Sequence, residues 1–231
     1  MFNLFKKTLS SSGILNGLTD AHSHILPGVD DGVPDMESSL AILRDFEAHG
    51  VTTVWLTPHI MEDIPNTTAE LQERFAELKA AYDGPITLHL AAEYMLDGTF
   101  EERFRNRDLL THSGSNILVE TSYFTPPMGF YKTLEEIKKA GYYPILAHPE
   151  RYIYMDDKAY KHLKHMGVKF QLNLFSLAGQ YGPTAEKKAI KLLKEGYYTY
   201  IGSDLHRHTA LTRNLSEKIS KKIIPLLECL K

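Results

Sequence analysis

Two rhythms of apolar and polar positions alternate along the chain. Short runs rich in β-branched and aromatic residues cover Thr19–His24, Val51–Thr57, Ile86–Glu93, Asn116–Glu120, Tyr143–His148, Val168–Asn173 and Tyr198–Ser203. Several are nearly continuous apolar stretches, as strands covered on both faces require. Between them, apolar residues recur at helical spacing. Met36, Leu40, Leu43 and Phe46 predict a helix over Met36–His49, and Leu71, Phe75 and Leu78 predict one over Thr68–Ala81, with Thr67 or Thr68 as its cap. Thr133–Ala140 and Ala185–Glu195 are two more, closed by Gly141 and Gly196.

Strand followed by helix, repeated along one chain, gives a parallel sheet with right-handed crossovers. The sheet is either open and doubly wound or closed into a barrel. No G-x-G-x-x-G follows the first strand, which argues against a dinucleotide site. No linker or repeat divides the chain, so we expect a single α/β domain over residues 18–231, preceded by an N-terminal arm over 1–17 that packs on it or frays.

The strand ends decide between sheet and barrel. In parallel α/β folds the chemistry gathers at the C-terminal ends of the strands. Here those ends read His22-Ser23-His24, Thr57-Pro58-His59, Ala92-Glu93, Val119-Glu120, His148-Pro149-Glu150-Arg151, Gln171-Leu172-Asn173 and Ser203-Asp204-Leu205-His206. All seven deliver a polar group, and six deliver His, Asp or Glu. A barrel brings seven ends round one point and an open sheet does not. Alternate residues of a strand face the same side, so the His22/His24 and Asp204/His206 pairs can each reach one ion. With Asp31, His59, Glu93, Glu120 and His148 the candidates number nine, too many for one four-coordinate ion and enough for two or three that share a carboxylate. Mixed imidazole and carboxylate donors suit Mn, Fe or Zn.

Composition narrows the chemistry further. The 231 residues carry 26 Lys+Arg and 29 Asp+Glu, a net charge of −3, without the basic excess that nucleic-acid binding demands. Hydrophobic content of 43% holds no apolar run near the roughly 18 residues of a membrane span. The N-terminus lacks the apolar core of a signal peptide, and a cytoplasmic protein is expected. The single cysteine, Cys229, excludes an internal disulfide and a thiolate zinc site. Only two residues follow it, too few for the phosphate-binding segment of a cysteine phosphatase. Of the 11 histidines, five close or follow a strand.

Taken together, Asp20-Ala21-His22-Ser23-His24, Asp30-Asp31-Gly32, Pro58-His59, the Glu93 strand, Ala147-His148-Pro149-Glu150-Arg151-Tyr152 and Ser203-Asp204-Leu205-His206 resemble the polymerase-and-histidinol-phosphatase (PHP) superfamily. Within it they are most similar to the bacterial manganese-dependent protein-tyrosine phosphatases of capsular and exopolysaccharide operons, the CpsB/YwqE type. The resemblance implies a distorted (β/α)7 TIM-like barrel with three divalent ions, manganese ahead of iron or zinc. His22, His24, Glu93 and Asp204 would hold one ion. Glu93 would bridge to a second held by Glu120 and His148. Asp31, His59 and His206 would hold the third. Arg151 matches the family's phosphate-binding arginine and, with His206, is the expected catalytic group. Arg207 and Arg213 compete for a second arginine role, Arg207 being the one expected at the substrate.

The implied partner is an autophosphorylating tyrosine kinase with a Tyr-rich tail, and the implied reaction is in-line attack by metal-activated hydroxide without a phosphoenzyme. Phenolate, with a pKa near 10, leaves with little protonation. The sequence offers no clear extra acid beyond His208, itself as readily an exposed helix-start residue. The aromatic loop Thr121–Tyr131, with Tyr123 and Phe124, either lines a phosphotyrosine slot or covers the barrel rim. A histidinol-phosphate-type phosphatase of the same fold is the alternative, and a non-catalytic metal-binding PHP module a third reading.

Overall fold

The structure, a computed structural model, describes residues 5–231. Met1–Leu4 of the N-terminal arm lie outside the described residues. The remainder of that arm begins with a short strand, β1 (Lys6–Thr8), which pairs antiparallel with β11 (Lys218–Ser220) near the other end of the chain. Helix α1 (Leu9–Ser12) follows, with Leu9 and Ile14 fully buried.

The barrel strands are β2 (Thr19–Ser23), β3 (Thr53–Leu56), β4 (His59–Ile60), β5 (Thr87–Leu90), β6 (Glu93–Met95), β7 (Asn116–Glu120), β8 (Tyr143–Ala147), β9 (Lys169–Asn173) and β10 (Tyr198–Gly202). All pair in parallel, in the orders β2-β3-β5 and β10-β9-β8-β7-β6-β4. Around them lie α2 (Met36–Ala48), α3 (Thr68–Ala81), α4 (Gly98–Asn106), α5 (Phe130–Lys139), α6 (Asp157–His165), α7 (Gly182–Lys194), α8 (His208–Ser216) and α9 (Ile224–Glu228). A single α/β domain results, a distorted barrel of seven strand positions.

Two of those positions differ from the unbroken runs expected at Val51–Thr57 and Ile86–Glu93. Each is split, into β3 and β4 and into β5 and β6. Pro58 sits at the first break, where a residue without an N–H cannot serve a ladder. Its carbonyl instead accepts from Glu93 N–H at 3.1 Å, while Leu56 O accepts from Ala91 N–H at 2.9 Å. The first halves stay with β2. The second halves cross to the larger sheet, where His59 and Glu93 stand opposite each other. This break carries both side chains into the site.

Closure between first and last strand rests on Asp20. Its buried carboxylate accepts Ser203 N–H at 2.7 Å and the Ser203 hydroxyl at 2.6 Å. Burial nonetheless pushes its pKa up to about 6. Asp204 N–H donates to His22 O at 2.7 Å, and His24 N–H to Leu205 O at 3.0 Å. The ends of β2 and β10 are thereby stitched together.

Helix boundaries follow local chemistry. α2 starts where Ser38 N–H donates to Asp35, and α3 has a capping box between Thr67 and Glu70. α5 begins at Phe130 rather than Thr133, because Phe130, Leu134 and Ile137 are buried along one stripe. α7 begins at Gly182 rather than Ala185, with Pro183 in the first turn, where its missing N–H is no loss. Among the described residues no helix is long and apolar enough to cross a membrane.

Candidate metal centre

A cleft of about 410 Å³ opens at the C-terminal ends of the strands, and its walls include Asp31, His59, Glu93, Tyr123, His148, Arg151, Tyr181, Asp204, His206 and Arg207. A larger groove of about 550 Å³ lies between α6 and α7, but its charged groups are mainly lysines and no ligand cluster faces it. Chemistry, not size, selects the first.

His22 and His24 stand two apart on the end of β2 and point the same way, their Nε2 atoms 3.0 Å apart. Glu93 Oε2 is 3.2 Å from each, and Asp204 Oδ1 is 3.5 and 3.4 Å away. His59 Nδ1 approaches the same Glu93 oxygen at 3.2 Å, and Glu120 Oε1 at 3.1 Å. His148 Nε2 lies 3.1 Å from Glu93 Oε1 and 3.9 Å from Glu120 Oε2. Asp31 Oδ1 completes the outer end, 3.4 Å from His206 Nε2 and 3.7 Å from His59 Nε2. All nine candidate ligands therefore meet in one place. The grouping is less separate than the family pattern implies. His59 faces Glu93 and Glu120 with one ring nitrogen and Asp31 with the other.

Side chains that sequence reasoning passed over fix these rings. His22 Nδ1 donates to Gln171 Oε1 at 2.8 Å, and the Gln171 amide is itself oriented by its Nε2 donating to Leu172 O at 2.7 Å. His24 Nδ1 donates to Asp30 Oδ2 at 2.8 Å. His206 Nδ1 donates to Asp204 O at 3.0 Å. With each Nδ1 held by an oxygen, all three rings turn Nε2 toward the cluster, the atom that would meet a cation. Asp30 was visible beside Asp31, and Gln171 at a strand end, but nothing in the sequence said which ring each would face.

The fit to cations is set by these donors. Glu93 Oε2 is buried and accepts no aligned hydrogen bond, although three imidazole nitrogens surround it at 3.2 Å. Tetrahedral ligands about 2.1 Å from an ion lie about 3.4 Å from one another, close to the separations here. Protons substitute imperfectly for such an ion. Burial works against charge on His22, but Glu93 and Asp204 outweigh it and push its pKa up to about 9. Burial and Asp30 act in the same opposing way on His24, which is raised well above its ordinary value. Glu93 and Asp204 are held far below the usual carboxylate range by the neighbouring imidazoles despite burial. Asp31, bonded to His206, falls to about 2.

Two candidate ligands sit on left-handed backbone, His148 at φ 34° and Asp204 at φ 51°. His148 directly follows β8 and Asp204 lies two residues past β10, and each turns its side chain into the cleft, a strain of order 1 kcal/mol per residue. The turn after His148 is anchored by Glu150. Its buried carboxylate accepts from Asn173 N–H, the Ser176 hydroxyl and the Tyr198 hydroxyl at 2.9, 2.9 and 3.0 Å.

Arg151 leaves that turn and donates from Nη1 to Asp204 Oδ2 at 2.6 Å. Its guanidinium carbon lies 4.3 Å from the Tyr123 ring and 4.0 Å from that of Tyr181. Tyr123 thus faces Arg151 rather than forming an open slot, and Phe124 is 70% exposed on the rim. Arg207 reaches Asp31 O at 3.2 Å and lines the cleft, whereas Arg213 is exposed on α8 and does not. His208 is no acid for this site: it pairs with Asp45 of α2 at 2.7 Å. Tyr181 left no sequence signal, lying in a loop far from every motif.

A model of the capsular polysaccharide synthesis family CpsB/CapC matches residues 18–223. The tyrosine-protein phosphatase YwqE of Bacillus subtilis (strain 168) is 28% identical over 204 residues, 85% of this chain and 80% of that protein. The tyrosine-protein phosphatase CpsB of Streptococcus pneumoniae is 29% identical over 203 residues, 82% of this chain and 83% of that protein. Among solved structures, one from a study of YwqE from Bacillus subtilis and CpsB from Streptococcus pneumoniae, described as unique metal-dependent tyrosine phosphatases, superposes with a TM-score of 0.78 at 26% identity, covering 92% of this chain and 87% of that one.

Proposed function

The chain belongs to the CpsB/CapC family of capsular polysaccharide synthesis, and on that premise we propose that it is a cytoplasmic, metal-dependent protein-tyrosine phosphatase acting on the Tyr-rich tail of a bacterial tyrosine kinase. The observation that carries this reading is Glu93 Oε2, buried without an aligned hydrogen bond among three imidazole nitrogens. Such an arrangement is unfavourable for a protein alone and favourable round cations.

The residues for three divalent ions, manganese first, are His22, His24, Glu93 and Asp204; Glu93, Glu120 and His148; and Asp31, His59 and His206. Bound there, the ions would supply Lewis acidity and a lowered pKa for water. The chain's own work is separate. Asp31, Glu93, Glu120 and Asp204 would by themselves repel a phosphate dianion, so the carboxylates make substrate entry conditional on the ions. Arg151 offers its remaining donors to a non-bridging oxygen, and Arg207 stands at the mouth. His206, its Nδ1 held by Asp204 O, directs Nε2 toward Asp31 at the outer end of the cluster. Phenolate needs little protonation to leave, which accords with His208 lying paired outside the cleft.

The test is turnover of a phosphotyrosyl peptide and of histidinol phosphate by Mn²⁺-loaded protein, before and after chelation. Efficient peptide turnover that chelation abolishes and Mn²⁺ restores supports the proposal. A clear preference for histidinol phosphate would transfer the fold to small-molecule chemistry, and metal binding without turnover of either would leave a non-catalytic module.

A further inference from the structure

Arg151 is packed against two aromatic rings. Those of Tyr181 and Tyr123 lie 4.0 and 4.3 Å from its guanidinium carbon, and Nη1 is committed to Asp204. A guanidinium is planar and donates only along its edge. Among the described residues, no side chain or carbonyl accepts from its other side-chain donors, and Arg151 lines the cleft. Its remaining donors are therefore what the cation can offer a ligand in the cleft.

Tyr181 is itself held in place. Its hydroxyl accepts from Asn173 Nδ2 at 3.1 Å and Gln180 Nε2 at 3.0 Å, and lies 3.4 Å from Asp204 Oδ2. Gln180 in turn accepts from Asn214 on α8. Gly179 at φ 81° and Gly182 at φ 83° bend the loop on either side of this pair, backbone that a Cβ would strain. The ring is thus fixed by one strand, one helix and two turns. A flexible arginine is otherwise free to sample several rotamers, most of which aim its charge elsewhere.

We infer that Tyr181 is a positioning residue, the second jaw of an aromatic clamp that fixes Arg151 edge-on to receive a tetrahedral oxyanion, in the phosphatase reading the phosphoryl group of the substrate. The inference rests on that reading only for the identity of the ester.

Calorimetric titration of the metal-loaded protein with inorganic phosphate tests it, alongside metal content and thermal midpoint. Tyr181→Leu removes the ring face and weakens phosphate binding roughly tenfold, with metal content unchanged. Tyr181→Phe keeps the face but loses the hydroxyl that anchors it, and falls between the parent and the Leu variant. In an Arg151→Ala background, Tyr181→Leu has no further effect, because the clamp then has nothing to hold. If Tyr181→Leu does not fold, Tyr181→Met, of similar length but without a ring face, replaces it. Phosphate affinity unchanged in the Leu variant, a Phe variant as weak as the Leu variant, additive losses in the double variant, or a parent that binds no phosphate would each overturn the inference. A parent that binds phosphate but leaves phosphotyrosine intact overturns the proposed activity and not the clamp.

Discussion

His22 and His24 present their Nε2 atoms to each other at 3.0 Å, while Gln171 and Asp30 hold the Nδ1 atoms on the far sides. Two ring nitrogens this close need a proton or a metal cation against them. On the proposed reading, metal affinity would be built partly by residues that touch no metal.

Asp30→Ala frees the His24 ring and should lower metal affinity by about 10- to 100-fold. Competition against a fluorescent chelator measures it. Asp30→Asn, which retains an acceptor oxygen, should lose less. Equal affinity in all three proteins would show that Asp30 does not orient the ligand.

Arg151→Lys keeps a positive charge but not the plane that two rings clamp. Turnover of an aryl phosphate should fall about 100-fold, near the loss seen for removal of one charge-stabilising donor, with metal content intact. Steady-state kinetics and metal analysis suffice. A lysine variant near parental activity would mean that charge alone is enough.

His112 is a non-ligand histidine with a pH signature. It is 1% exposed, stacks on Trp55 at 3.9 Å and donates from Nε2 to Ala21 O at 3.1 Å. Burial pushes its pKa down to about 3 from 6.5. The unfolded chain then binds a proton that the folded chain refuses, so the stability it contributes is complete above about pH 6.5 and is lost as pH falls toward 3. The loss should amount to a few kcal/mol at most. Denaturant melts followed by Trp55 fluorescence should show a shallower acid-side slope in His112→Asn. An unchanged slope would assign acid sensitivity to other groups.

Phe124 is 70% exposed beside a residue that lines the cleft. Phe124→Ser should leave thermal stability within about 0.5 kcal/mol and leave turnover of free phosphotyrosine unaltered. For a phosphotyrosyl peptide, KM should rise severalfold. If neither substrate responds, the rim loop does not touch the substrate.

How far the site could be read in advance differs from residue to residue. His22 and His24 are legible as a pair because a strand repeats every second residue, whereas Asp204 and His206 lie beyond β10, with Asp204 on left-handed backbone, and converge through that turn instead. Glu93 and His59 were legible as strand-end groups, but not the double strand break that faces them across a parallel ladder. The helices over Met36–Ala48 and Thr68–Ala81 follow their apolar spacing closely, whereas α5 and α7 begin earlier than their spacing suggested, at places set by the burial of Phe130 and by Pro183.

By itself, the sequence determined the alternation of strand and helix, the donor types at the strand ends and the count of one cysteine, since periodicity and composition are local properties. Tertiary structure alone decided which atoms converge. Asp20 closes the barrel with Ser203, 183 residues away, and Gln171 holds Nδ1 of His22 across 149 residues. The splitting of His59 between two groups of carboxylates and the stacking of Tyr181 on Arg151 belong to the same level. Hydrogen bonds and ring contacts act over 3 to 4 Å, and only the closed fold brings such distant positions within that range.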